Sequence, residues 1–146
     1  MCGKRGSILP LISVIIPNWN GAHHLPTCLD SLRRQSYQNF EVIVVDNGST
    51  DDSLELLAKK YPEVRVVALP ENRGFSGGVN EGIRRARGEI IATLNNDTEA
   101  DPDWLMELYK ALAKNRKAGM AASKILLFDE RDVINSAGDF YGVDGV

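Results

Sequence analysis

A chain of 146 residues that is 43% apolar and 25% charged is long enough to bury the core of one globular domain and has the composition of a soluble one. Its net charge of −3 gives no electrostatic case for DNA or RNA as a partner, and the basic pairs Arg33-Arg34 and Arg84-Arg85 fall in helical patterns as solvated faces. No apolar run approaches the ~20 residues of a membrane-spanning helix, and Cys2 and Cys28 lack the spacing of a metal knuckle or the density of a disulfide scaffold, which suits a reducing, cytoplasmic setting.

Residues 1–10 read as an N-terminal extension, basic at its start but too interrupted by Pro10 and Pro17 to be a signal peptide. Leu11 to Ile16 has the Val/Ile content of a strand buried on both faces and ends at the turn-forming Pro17-Asn-Trp-Asn-Gly21. Leu25, Cys28, Leu29 and Leu32 then fall at helical spacing between His23 and Gln35. Phe40 to Val45 is a second strand, followed by Asp46-Asn-Gly-Ser-Thr50 and a helix with Leu54, Leu57 and Ala58 facing inward, ended by Pro62. Val64 to Leu69 is a third strand. The loop from Pro70 to Gly78 leads into a helix from about Gly78 to Ala86, and Glu89 to Leu94 is the next strand. A helix from about Pro102 to Ala113, a strand from Gly119 to Phe128 and irregular or short β structure from Val133 to Tyr141 complete the pattern. The end, Asp139 to Val146, stops inside a Gly-punctuated pattern, which leads us to expect a longer protein.

Successive βα units predict an α/β fold with a parallel sheet and helices on both faces. Right-handed crossovers then line up the loops after the strands on one edge, where such sheets place their ligands. Those loops start at Pro17, Asp46, Leu69 and Asn95 and carry most of the unusual polar residues. Trp19, flanked by Asn18 and Asn20, either walls a flat base or packs in the core. Asp46 accepts hydrogen bonds only, whereas Asn47 donates and accepts, which suits a pyrimidine edge. Asn72-Arg-Gly-Phe-Ser-Gly-Gly-Val-Asn80 combines Arg73 with Gly74 and further glycines before a helix, either a diphosphate-binding element or a flexible connection. It matches neither the dinucleotide-binding glycine pattern nor a P-loop. Asn95-Asn-Asp97 supplies hard oxygen donors of the kind Mg²⁺ and Mn²⁺ prefer, with one formal charge, unless Asp97 or Asp101 merely caps the next helix. An EF-hand is set aside because Ala100 and Met106 stand where its Gly and Glu belong. An aspartyl-phosphate hydrolase is set aside because Asn95 stands where its nucleophile would be. His23 and His24 read as exposed helix-start residues.

Ser13-Val-Ile-Ile-Pro-Asn-Trp-Asn20, Val44-Val-Asp-Asn-Gly-Ser-Thr-Asp51, Asn72 to Asn80 and Leu94-Asn-Asn-Asp-Thr98, in that order, resemble the donor-binding part of a family 2 glycosyltransferase with the GT-A fold, and within it the rhamnosyltransferase-like members. The resemblance runs from Leu11 to about Gly138 and implies one nucleotide-sugar-binding domain over residues 11–146, incomplete at its C-terminus. It implies that Pro17, Trp19, Asp46 and Asn47 hold base and ribose, that Arg73 and Asn80 lie near the diphosphate, that Asn96 touches ribose or phosphate, and that Asp97 coordinates Mg²⁺ or Mn²⁺. Asn18, Asn20, Gly74 and Asn95 complete the expected binding set. The family's common Asp-Asp is Asp46-Asn47 here, favouring a UDP- or dTDP-linked donor, and its Asp-x-Asp is Asn95-Asn-Asp97, so protein-only metal affinity should be low. Inversion at the sugar needs a carboxylate base expected beyond Val146, so this chain would be inactive alone. The implied partners are the nucleotide-sugar donor and a saccharide or lipid-linked acceptor, with the full-length protein peripheral to the membrane in polysaccharide or glycolipid assembly. The competing reading is a non-catalytic sugar-nucleotide-binding module.

Overall fold

The computed structural model describes residues 9–115 and 117–138. They divide into two compact units, the first from residues up to Asp30 with Gln38–Thr98, the second from Ser31–Tyr37 with the residues from Glu99 onward.

The first unit is built on a four-stranded sheet of β1 (Ile12–Asn18), β2 (Phe40–Asp46), β3 (Arg65–Ala68) and β4 (Ile90–Thr93), in the order β3-β2-β1-β4. Every pairing is parallel. β1 and β2 are central, and Val14, Ile15, Ile16, Ile43, Val44 and Val45 are fully buried, as expected of strands covered on both faces. The register sets Asn18 beside Asp46 at the C-terminal ends of these two strands. Helices α1 (Leu25–Arg33), α2 (Ser53–Lys60) and α3 (Gly74–Arg85) supply the crossovers. In α2 only Leu57 is buried among the apolar residues expected inward; Leu54 and Ala58 are exposed.

α3 decides where the site lies. A Cβ on Gly82 would stand 2.4 Å from Ile15 Cγ2 and 3.0 Å from Val45 Cγ2, and one on Gly78 would stand 3.5 Å from Pro17 Cβ. Glycine at position 82 lets the helix backbone lie almost on the sheet, an approach a Cβ there would prevent, whereas at Gly78 a Cβ would meet its neighbours at ordinary contact distance. The sequence pattern predicts a start near Gly78, but the helix begins at Gly74. Glycine's poor helix propensity argues for a loop. The Gly74 N–H is instead held by Asn72 Oδ1 at 2.8 Å, and Asn47 grips the Arg73–Gly74 backbone from outside the helix. Tertiary bonds override the local preference.

The opposite edge of the sheet is tied by Glu41. Its carboxylate accepts from Ser13 Oγ (2.7 Å), from the Arg87 N–H (2.8 Å) and from the Arg87 guanidinium (2.8 and 3.0 Å), while Ser13 Oγ accepts the Gly88 N–H at 2.8 Å.

In the second unit α4 (Trp104–Lys114) buries Leu105 completely, and Gln35 Oε1 accepts the Leu105 N–H at 3.0 Å. The strand expected over Gly119 to Phe128 is reduced to β5 (Ile125–Leu126), antiparallel to β6 (Ile134–Ser136) with an irregular register. Gly119 to Ser123 offers mostly small side chains, and Met120 is 90% exposed, so little burial holds an extended segment there. The stretch beyond Gly138, including the Gly-punctuated end, lies outside the described residues.

Burial alone would raise the Glu41 carboxyl; hydrogen bonds from Ser13 and Arg87, with the Arg87 charge, hold it below its usual range. Such a group stabilises the fold above its unfolded pKa, and the contribution disappears as pH falls through the folded one. Glu41→Gln should therefore cost about 1–2 kcal/mol near neutral pH. The gap from the unaltered chain should close in urea titrations below pH 4.5. A gap that does not change with pH would show that the carboxylate's charge is not what ties this edge.

Candidate functional site

At the C-terminal ends of the strands the loops are stitched by buried amides. Asn18, 1% exposed, ends β1. Its Nδ2 donates to Asp46 Oδ1 (3.1 Å) and Ser49 Oγ (3.4 Å), and its Oδ1 accepts from Asn96 Nδ2 (2.8 Å). Asp46 is equally buried and spends its second oxygen on the Ser49 N–H at 3.1 Å. Asn20, at φ 50, accepts the Thr50 N–H at 2.8 Å and donates its own N–H to Ser49 Oγ at 2.9 Å. A left-handed backbone is one that Asn tolerates better than most residues.

Asn47 is 4% exposed. Its Nδ2 donates to the Gly74 carbonyl and its Oδ1 accepts the Arg73 N–H, both at 2.9 Å. The capacity that suggests a base edge is thus engaged with the start of α3.

The loop after β4 leaves more groups facing out. Asn95 and Asp97 are exposed and Asn96 is half-buried. The Asn95 carbonyl accepts from Thr98 Oγ1 at 2.7 Å and from Cys28 Sγ at 3.6 Å, which pins the loop onto α1. Asp97 makes no hydrogen bond or ion pair among the described residues.

These loops enclose a cleft of about 320 Å³. Pro17, Asn18 and Trp19 line it from the end of β1 and the residue after it, Asn47 from the loop after β2, Asn72, Gly74 and Phe75 from the loop before α3 and its first residues, and Asn95, Asn96 and Asp97 from the loop after β4. Of the residues expected from the sequence, Asn20, Asp46, Arg73 and Asn80 are not in its lining. Asn20 and Asp46 sit behind it as supports, Arg73 is exposed with its guanidinium 3.9 Å from Glu71, and Asn80 is exposed farther along α3. His23 and His24 are exposed, with ring centroids 3.8 Å apart and planes tilted by 42°, and are not in the lining. Asn72 and Phe75 line the cleft although the sequence pattern does not mark them as binding residues. The signal available for Phe75 is an aromatic side chain set among glycines at a helix start.

Among the described residues no three carboxylate, imidazole or thiol groups cluster to cage a metal ion. The Asp97 carboxylate beside the Asn95 and Asn96 amide oxygens is a hard-oxygen donor set with one charge. It fits Mg²⁺ or Mn²⁺ keeping several waters and sharing a ligand's phosphates, and does not resemble a closed all-protein site.

The family model described as glycosyl transferase family 2 matches residues 13–140. Glycosyltransferase GlyA of Streptococcus pneumoniae is 34% identical over 133 residues, 89% of this chain and 18% of that protein. GlyG of the same organism is 32% identical over 134 residues, 90% of this chain and 42% of that protein. Among solved structures, the mannosyltransferase PcManGT of Pyrobaculum calidifontis, in complex with GDP-Man and Mn²⁺, superposes with a TM-score of 0.66 at 30% identity, over 73% of this chain and 33% of that one. Residues 1–349 of S. aureus TarS give 0.65 at 28% identity, over 72% and 33%. The chain therefore spans less than half the length of each of these relatives.

Cys28 reports on the integrity of the metal-side loop. Burial pushes its thiol from 9.0 up to about 12, the Thr98 hydrogen bond pulls it down, and the Asp97 charge adds to the rise. The thiol stays protonated in the fold, and its contribution to stability, complete below 9.0, is lost as pH climbs toward 12. In a Cys2→Ser background, iodoacetamide should leave Cys28 unmodified in mildly alkaline buffer and alkylate it in urea. Equal rates in the two conditions would show the loop to be open. With the parallel sheet, the amide-stitched cleft and a family model that covers nearly the whole sequence in agreement, this chain belongs to glycosyl transferase family 2 and carries part of its GT-A fold.

Proposed function

We propose that this chain is the donor-binding part of an inverting, metal-assisted glycosyltransferase that takes a UDP- or dTDP-linked sugar, rhamnose among the candidates, and delivers it to a saccharide or lipid-linked acceptor. The observation that carries the reading is the convergence of four separate loops on one cleft, with an exposed aromatic at its mouth and in its wall a carboxylate, Asp97, that has no partner among the described residues. The Pyrobaculum calidifontis relative binds GDP-Man and Mn²⁺, which supports a nucleotide-sugar ligand and a divalent ion here. The pyrimidine preference rests on the residue types of the Asp46-Asn47 pair and on the family resemblance alone, since both side chains are engaged by Asn18, Ser49 and the start of α3.

In this reading the base lies against Trp19, with Pro17 beneath, and the diphosphate reaches toward Asn95, Asn96 and Asp97. Arg73 and the positive N-terminal end of the α3 dipole add positive potential on the same side. Asp97, with the neighbouring amide oxygens, would hold Mg²⁺ or Mn²⁺. The ion, when bound, neutralises charge that develops on the departing nucleoside diphosphate as the acceptor displaces it from the anomeric carbon. The base that removes the acceptor's proton comes, in this proposal, from sequence beyond Val146. The whole protein would work in the cytoplasm, peripherally at the inner face of the membrane, in polysaccharide or glycolipid assembly. No helix among the described residues is long and apolar enough to cross a membrane.

Calorimetric titration of the chain with UDP and with dTDP, each with and without Mn²⁺, tests this directly. Binding should require Mn²⁺ and weaken about tenfold or more in Asp97→Ala, a loss of about 1.4 kcal/mol or more. Tight binding that ignores Mn²⁺ and survives Asp97→Ala would remove the metal-bridged assignment.

A further inference from the structure

We infer that Phe75 is a second base-contacting residue of the cleft and that Asn47 is the positioning residue that holds it there. The inference rests on the nucleotide-binding reading above and deepens it. It starts from the face of α3 on which Phe75 lies. Residues three, four and seven apart share one side of a helix, so Phe75, Gly78 and Gly82 form a single stripe. Gly82 lies over Ile15 and Val45, and Gly78 over Pro17 and Asn47. This is the sheet-facing side of the helix.

One turn nearer the N-terminus the strands have ended. Phe75 continues the inward stripe past Asn18 and Asp46, the last residues of β1 and β2, into the lining of the cleft. It is 59% exposed, on the side of the helix that elsewhere is buried against the core. Leaving that much aromatic surface in water opposes folding, and neither Phe75 nor Trp19 is in contact with another aromatic ring among the described residues. Around them the cleft is lined mostly by amides and one carboxylate. The flat apolar surfaces available to a ligand here are Trp19, 57% exposed, and Phe75. A nucleobase is flat, with polar edges and apolar faces, and matches a cleft whose lining offers two exposed aromatic side chains among amides.

The start of α3 has little internal support, since its N-cap residue, Arg73, makes no side-chain capping bond and Gly77 and Gly78 follow in its first turns. Asn47 replaces the cap from the loop after β2, with a bond to a backbone group of each of two successive residues, the Arg73 N–H and the Gly74 carbonyl. Gly48, at φ 73, lets the same loop lie flat on the Glu71 backbone, where a Cβ would be only 2.9 Å from Glu71 Cα. Aspartate at position 47 would keep the acceptor for Arg73 and replace the donor to Gly74 with a second acceptor. Two oxygens would then face each other at 2.9 Å, and the first turn carrying Phe75 would have to move.

The test is UDP affinity, by calorimetry with Mn²⁺ on the 146-residue chain, for Phe75→Ala, Phe75→Tyr, Asn47→Asp and the double variant N47D/F75A. Phe75→Ala should weaken UDP about tenfold, as losing one base–aromatic stack does. Phe75→Tyr should restore it, and pyrophosphate should compete as well against the alanine variant as against the unaltered chain. Asn47→Asp should also weaken UDP, and should do so much less in the Phe75→Ala background, because the two act on one contact. Unchanged UDP affinity in Phe75→Ala, an equal loss for pyrophosphate, or a loss confined to UDP-linked sugars would overturn the assignment of Phe75. Full additivity would overturn the role given to Asn47. A chain that binds neither UDP nor dTDP fails the proposed function itself, and this inference with it.

Discussion

The cleft depends on one side-chain amide. Asn18 ends the central strand at full burial, where an unsatisfied amide would cost about 1–3 kcal/mol for each group left unpaired. It has few ways to satisfy itself. The parallel register brings Asp46 alongside, Ser49 follows in the same loop, and Asn96 reaches in from the neighbouring strand. Meeting the needs of that amide fixes the relative positions of three chain segments that are remote in sequence. Apolar packing holds the strands together, but a directional bond is what gives the loops beyond them a defined geometry.

A division of labour follows among residues of similar type. Asp46, Asn47 and Asn20 direct their polar atoms at backbone and at other side chains, and so build the walls. Asp97, Asn95, Trp19 and Phe75 have nothing comparable to hold and are turned toward solvent at the cleft. Electrostatically this matters, because a carboxylate already engaged by Asn18 and Ser49 has little left for a metal ion, whereas Asp97 keeps its whole coordinating capacity. Gly82 of α3 serves the same end from the other side, since bringing the helix backbone down onto Ile15 and Val45 lowers its N-terminus to the level of the strand ends.

Much of this is legible in the chain itself. Continuous Val/Ile runs followed by Asn, Asp and Gly clusters announce buried parallel strands with functional ends, and the four strands of the first unit stand where those runs are. What is less legible has physical reasons. Gly74 to Gly78 has the composition of a loop, and bonds from Asn72 and from Asn47, the latter distant in sequence, hold the start of the helix. For the same cause the side chain of Asn47 looks available when it is not, because hydrogen-bonding capacity can be read from a residue type but its use cannot. Leu54 and Ala58 fit the helical period yet lie exposed, since α2 is covered along a narrower stripe than periodicity suggests. The segment after Gly119 has apolar residues enough for a strand, but a strand also needs a neighbour, and the second unit offers Ile125–Leu126 only the short Ile134–Ser136.

The central claim is that loops after β1, β2, β3 and β4 grip one nucleotide through one metal-bearing cleft. Paramagnetic broadening of the backbone amide spectrum by Mn²⁺ in the presence of UDP measures this most directly, because the ion marks its own surroundings. The account predicts that residues 18–20, 47–48, 72–75 and 95–98 lose intensity together, while Glu41, Arg87 and Gly88 at the far edge of the sheet keep theirs. Broadening centred on any other part of the chain, or spread evenly over its surface carboxylates, would contradict it.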